Sequence, residues 1–280
     1  MKEDAEELVV PGAAGRSRRR GRAGRARSYR GDLLVPIASL AATLVLWEWF
    51  GRGVNPILFS YPTAILAVLP KMVASGELPR AMLESYQSLA VGYFSAVVIG
   101  IALGLAIGRF RFLELALDWQ LVALYSTPNV ALVPLLIMWL GLGFQPKVAL
   151  VFLSAVFPVL LNTQGGVRNI DRSLVDVARV EGGSERQILQ KIVLPASLPF
   201  IMTGLRLAVG RAVVGMVVAE FFTAISGLGG RIVIYGGQFA TDKLLVVVIV
   251  LALSGVGLTA LVGALENRLL PWRQISRAGA

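Results

Sequence analysis

The sequence predicts an all-α integral membrane protein of about six transmembrane helices. Three observations carry that expectation. Of 280 residues, 56% are hydrophobic and only 16% charged, whereas soluble domains carry about a quarter charged residues. The apolar residues come in blocks near the roughly 20 that a helix needs to cross a bilayer. The 27 Lys and Arg outnumber the 17 Asp and Glu, and they gather between those blocks.

Taken in order, residues 1–31 form a polar tail that starts acidic and then holds eight Arg between Arg16 and Arg30. Such a run alone points to nucleic acid. An apolar stretch follows at once, however, so the tail reads as a cytoplasmic flank held near anionic membrane lipid. Nucleic acid is not expected as a partner, and no small-x-small site marks a cleaved signal peptide. Residues 32–280 are then one transmembrane domain. Spans are expected at 33–50, 88–108, 113–142, 147–163, 199–222 and 244–266, the third broken at Ser126-Thr127-Pro128. Six spans place both termini on one side. With the N-terminus inside, cytoplasmic segments hold nineteen Lys and Arg against six outside. Without the tail the count is still ten against six, so the positive-inside rule sets both termini in the cytoplasm.

The second span carries Gly92, Ala96, Gly100, Gly104 and Gly108 at every fourth position. At 3.6 residues per turn these form one stripe on which another helix backbone can pack closely.

Two absences bound the chemistry. The chain has no Cys and no His, which removes thiolate nucleophiles, imidazole bases and the commonest metal ligands. None of its five Lys follows a Gly, so the phosphate loop of ATP-hydrolysing proteins is missing. Neither an enzyme nor a metal site is expected.

Residues 164–198, between spans four and five, are polar and far longer than a turn. Residues 173–181 read as a short amphipathic helix with Leu174, Val177, Ala178 and Glu181 close on one side. Gly182-Gly183 ends it with a residue free to take positive φ. Ser184 and Gln187 form a capping box for a second helix, expected to run to Leu194, where Pro195 stops it. A helix–Gly–helix element on the cytoplasmic face suits a docking knob for a soluble partner; an ordinary surface loop is the alternative.

This segment resembles a known signature. Permease subunits of binding-protein-dependent ABC importers carry E-A-A-x-x-x-G-x₉-I-x-L-P. This chain has Asp176-Val177-Ala178, three residues, Gly182, nine residues, then Ile192-Val193-Leu194-Pro195. Asp and Val replace the first two signature residues. Leu58 to Thr63, Pro128 to Leu135, Trp139 to Gly143 and Thr203 to Arg206 look like the nitrate/sulfonate/taurine branch. The resemblance covers most of residues 33–272. It implies a type I ABC importer permease fold with a cytoplasmic coupling helix in the bacterial inner membrane. It also implies a homodimer, two ABC ATPase subunits below it, and a periplasmic or lipid-anchored solute-binding protein above. Cofactors are expected to be none in this chain, with ATP and Mg on the ATPase.

Charges inside spans default to functional candidates. Counted from Pro199, Arg206 lies about 10 Å into span five and Arg211 about 18 Å in. Arg206 can snorkel to the head groups. Arg211 is too deep for that, so it faces either a translocation path or a structural partner. For a sulfonate or nitrate, its planar fork is apt. Glu220, at the outer end of that span, and Asn129 join it as path candidates, with surface charge and capping as their alternatives. The expected solute is small and anionic. A neutral or cationic solute, such as a pyrimidine vitamin precursor or flavin, is the alternative, and a self-contained carrier or intramembrane enzyme ranks behind both.

Overall fold

The computed structural model describes residues 29–223 and 226–270, with side chains from residue 34 onward. Residues 1–28 of the basic tail lie outside the described residues. Every regular element among the described residues is helical. In chain order these are α1 (Tyr29–Gly53), α2 (Pro62–Ala74), α3 (Glu77–Arg109) and α4 (Arg111–Ser126). A 3₁₀ turn (Asn129–Leu132) leads into α5 (Val133–Leu140), followed by α6 (Phe144–Arg168), α7 (Arg172–Val180) and α8 (Glu185–Ile188). A π turn (Leu189–Val193) leads into α9 (Leu194–Thr223), and α10 (Gly227–Gly237) and α11 (Thr241–Leu269) follow, the last among the described residues.

The chain forms two units, dividing between Leu46 and Trp47. In the first, residues 34–46 are exposed throughout; an apolar helix with no buried face suits lipid, not water. In the second, the end of α1 clasps the start of α2. Glu48 accepts the Thr63 amide at 3.0 Å and its hydroxyl at 2.7 Å, and the Trp47 indole donates to the Ser60 carbonyl at 3.0 Å.

Among the described residues, five helices are long and apolar enough to cross a bilayer, and α4 with residues 129–140 makes a sixth crossing if that bent pair is one span. The bend is 87°. Thr127 is extended before Pro128, the conformation that a following proline favours, and this is the break expected at Ser126-Thr127-Pro128. Gly141 (φ +74°) and Gly143 (φ +120°) then turn the chain into α6.

Helix α6 is the centre of the core, with α3 parallel to it on one side and α9 antiparallel on the other. Glycine sets both spacings. A Cβ at Gly104 would lie 2.6 Å from the Thr163 Cβ and 2.7 Å from the Leu160 carbonyl, and one at Gly92 would lie 2.6 Å from Val151. Gly100 and Gly108 meet Val159 and Val167 in the same register, and Ala96, between Gly92 and Gly100, is fully buried. Across the other interface, Gly204 sits against Pro158 and Asn162, and Gly215 against Leu150 and Ser154. The small-residue stripe of α3 therefore packs on α6 within this chain.

Two expectations need correction. Pro195 does not stop the helix: residues 185–223 run as one apolar helical stretch of 39 residues. Proline in a helix lacks a donor and collides with the carbonyl four residues back. The π turn of residues 189–193 widens the helix at that point and relieves the collision. Span two is also longer than expected, because α3 begins at Glu77 rather than residue 88. Helices α2 and α10 were not anticipated.

Candidate functional site

The hairpin of α7 and α8 is built from local signals. Asp171 starts α7 by accepting the Ser173 amide at 2.9 Å, and that bond holds its carboxyl below the ordinary range. At the other end the Gly182 amide donates to the Arg179 carbonyl at 3.0 Å and the Gly183 amide to Ala178 at 2.8 Å. This is the Schellman pattern, and Gly182 takes φ +79° as the pattern requires. The Ser184–Gln187 capping box is formed in both directions. Ile188 and Val193 are buried against Val167, with Val175 and Ala178 packed on them.

That packing divides the residues of α7. Val175 and Ala178 turn inward, so Ala178 does not share the face of Leu174, Val177 and Glu181. The outward face is Leu174, Val177, Val180 and Glu181, with Val180 87% exposed. Three exposed aliphatics on a short helix away from the bundle core form a surface that water alone does not favour. Asp176 lies beside Arg179 at 3.8 Å. Glu185 pairs with Arg179 at 3.1 Å and also with Arg109 at the end of α3, tying the hairpin to the bundle. Ile192 is half-buried, while Leu194 and Pro195 are exposed on the first turn of α9. Sequence reasoning missed Ile188, Val193 and Val180; Ile188 directly follows the capping box, which was the available signal.

A second feature lies in the bundle. A cavity of about 260 Å³ opens beside the α4–α5 break, lined by Ser126, Thr127, Asn129, Ser154 and Arg211. At 1.5 Å per residue, Ser154 sits about 15 Å from the start of α6 and Arg211 about 18 Å from the end of α9, so both are near mid-depth. The Asn129 amide donates to the Ser154 hydroxyl at 3.4 Å. Arg211 makes no ion pair or hydrogen bond among the described residues. Its guanidinium therefore borders this cavity without a carboxylate to neutralise it.

Arg206 and Glu220 lie elsewhere. Arg206 pairs with Glu266 of α11, so it is partnered in the bundle rather than left to reach for head groups. Glu220 is not a surface charge. It is fully buried, accepting the Ser85 hydroxyl at 2.6 Å and the Gly229 amide at 2.7 Å. Ser85 accepts the Leu228 amide and Glu84 the Gly227 amide. Three successive amides at the start of α10 are thus satisfied by side chains of α3 and α9, which a buried helix end requires. With five of its eleven residues glycine, α10 carries no helical signal in the sequence.

The comparisons agree with this architecture. Residues 96–271 match the family model for the binding-protein-dependent transport system inner membrane component. A taurine transport system permease of Escherichia coli is 30% identical, covering 86% of this chain and 90% of its own. A permease of Bacillus subtilis named for aliphatic sulfonate transport is 34% identical over 86% of this chain and 87% of its own. The riboflavin transport system permease of Chloroflexus aurantiacus is 35% identical over 84% and 88%. Among solved structures, an inward-facing methionine ABC transporter aligns with a TM-score of 0.60 at 18% identity, over 69% of this chain and 95% of that one. The chain belongs to the binding-protein-dependent transport system inner membrane components and is the non-catalytic, multi-pass permease subunit of an ABC importer.

Proposed function

We propose that this permease conducts a small oxyanion, of the sulfonate or taurine class, through the cavity beside the α4–α5 break. The observation that carries the reading is Arg211, a mid-depth guanidinium with no ion pair among the described residues, bordering that cavity. A cation at mid-membrane depth without a counter-ion is costly, and a passing sulfonate offers oxygens that match its fork. Ser126, Thr127 and Asn129 add hydrogen-bonding groups to the same lining. The taurine and sulfonate relatives support the same class.

In this reading the hairpin and both termini face the cytoplasm, and the outward face of α7 (Leu174, Val177, Val180, Glu181) docks in a groove of the ATPase. ATP and its Mg bind that partner. A second copy of this chain completes the path, with a solute-binding protein on the far side. Closure of the ATPase pair moves the hairpins together and tips the bundles as rigid bodies.

The test is uptake into proteoliposomes holding the permease, its ATPase and its binding protein. Labelled taurine or an alkanesulfonate should accumulate, and Arg211→Gln should reduce uptake at least tenfold while the complex still assembles. The riboflavin relative and a formylaminopyrimidine transport permease that is 32% identical define the other reading. Uptake of such a neutral solute, with Arg211→Gln indifferent, would sink the oxyanion assignment.

A further inference from the structure

A second cavity, of about 560 Å³, lies where the hairpin meets the ends of α3, α4 and α6. Arg109, Arg111, Arg168, Arg172 and Arg179 line it, against two carboxylates, Glu114 and Asp176. Some of this charge is committed. Glu114 pairs with Arg111 at 2.8 Å and Arg168 at 2.7 Å, Asp118 pairs with Arg168 at 3.2 Å, and Arg179 and Arg109 meet Glu185. Arg172 makes no ion pair or hydrogen bond among the described residues, and the Arg111 side chain is 72% exposed. The lining thus keeps an excess of positive charge, with two guanidiniums from different helices able to turn towards a ligand.

The cavity does not end there. Arg111 and Glu114 also line a neighbouring groove of about 550 Å³ that continues along α4 over Leu115, Asp118, Trp119 and Val122. Leu115 and Trp119 are 66% and 69% exposed. A cationic cavity opening onto a membrane-helix surface where Leu115, Trp119 and Val122 offer apolar contact beside Asp118, itself paired with Arg168, matches one ligand chemistry, a phosphate ester joined to a hydrocarbon chain. Guanidinium forks suit phosphate oxygens.

We propose that this site holds an anionic phospholipid of the cytoplasmic leaflet, its phosphate against Arg111 and Arg172 and an acyl chain along Leu115 and Trp119. The position rests on the cytoplasmic orientation of the hairpin proposed above, but not on which solute is transported. Bound there, the lipid bridges the start of α4 and the inner side of α7, leaving the outward face of α7 free. It steadies the hairpin against the bundle.

The test uses purified permease–ATPase complex, stripped of lipid and titrated with phosphatidylglycerol or with phosphatidylcholine of the same chains. Retention is read by native mass spectrometry and stabilisation by thermal unfolding. Phosphatidylglycerol should be retained preferentially. Losing one surface Arg should weaken retention about fivefold, and Arg111→Gln with Arg172→Gln together about 25-fold. Arg80→Gln, at the other end of α3, should change nothing. Trp119→Ala leaves every arginine in place and should still lower retention, which guards against a double variant that fails to fold. Equal retention of the two lipids, or unchanged retention in the variants that fold, overturns the site. If sodium phosphate alone stabilises the complex as phosphatidylglycerol does and displaces it, the pocket is a free-anion site and the lipid assignment falls.

Discussion

The amide of Gly183 donates to the carbonyl of Ala178 across 2.8 Å, and this bond fixes how the hairpin leaves α7. A Cβ on Gly183 would lie 2.6 Å from that same carbonyl oxygen. Gly182, one residue earlier, has open space around it but stands at φ +79°. The two glycines are therefore needed for different reasons, one for room and one for backbone sign.

That difference yields a first prediction. Gly182→Asn should be tolerated, because Asn visits the left-handed region at little cost, whereas Gly182→Val should be strained by about 1–2 kcal/mol. Gly183→Ala should disturb the turn as much as Gly182→Val, despite adding one carbon. Binding-protein-stimulated ATP hydrolysis in proteoliposomes measures the result. Stimulation and uptake equal to wild type in both Gly182→Val and Gly183→Ala would remove the hairpin from coupling.

Glu220 carries a second prediction. Glu220→Ala strands the Ser85 hydroxyl and the Gly229 amide in a buried site, at about 1–3 kcal/mol for each group. The thermal midpoint should fall by several degrees, and Glu220→Gln, which keeps an acceptor, should fall less. A Glu220→Ala protein with an unchanged midpoint and lost uptake would return the residue to the path.

Legibility in the sequence followed the range of the forces involved. The break at Thr127-Pro128, the capping box at Ser184 and the positive φ at Gly182 each depend on a few neighbouring residues, so residue type and spacing disclosed them. The stripe from Gly92 to Gly108 announced a close helix contact without its partner, because spacing encodes a face and not what lies across it. Glu220 was opaque for the opposite reason. Its partner Ser85 is 135 residues away, and the helix it caps is too glycine-rich to announce itself. Pro195 misled because the π turn that accommodates it leaves no mark in residue type. The inward turn of Ala178 follows from Ile188 and Val193, whose burial depends on the hairpin folding back.

The α3–α6 interface gives a third prediction. Gly104→Val places new carbons within 2.6 Å of Thr163 and 2.7 Å of a backbone carbonyl, so the helices must separate. Overpacking of this kind costs about 1–3 kcal/mol. Gly257→Ala, with nothing within 4 Å, should be neutral or slightly stabilising. Thermal unfolding of the two purified variants compares them directly, and equal midpoints would refute the close packing.

Asp171 gives a fourth. Its folded carboxyl is held below its unfolded value by the Ser173 amide. The capping contribution is therefore complete above the unfolded pKa and is lost as pH falls through the folded one. Asp171→Asn keeps an acceptor, so hydrogen exchange of α7 amides should lose its acid dependence in that variant. An unchanged acid profile would show that another group sets it.

Topology supplies the last prediction, and the lack of cysteine makes it clean. In the proposed orientation, nineteen Lys and Arg lie on the side of the hairpin and both termini against six on the other, as the positive-inside rule expects of the cytoplasmic side. Helix geometry constrains the rest: α3 and α6 run parallel, so their starts share a side, and Ser75 lies just before α3 while Gly141 and Gly143 lie just before α6. Single cysteines at Ser75 and Gly141 should both react with a membrane-impermeant maleimide in intact cells. Cysteines at Ser173 and Ser276 should react only after the membrane is opened. Ser173 is the informative position, because it flanks the exposed face of α7 and is accessible once the reagent reaches it. Labelling of Ser173 in intact cells, with Ser75 protected, would invert the whole map and put the hairpin on the side away from any ATPase. Labelling of Ser75 and Ser276 together would instead mean an even number of crossings between them, and α11 would then fail to span, since parallel α3 and α6 require the α4–α5 pair to cross.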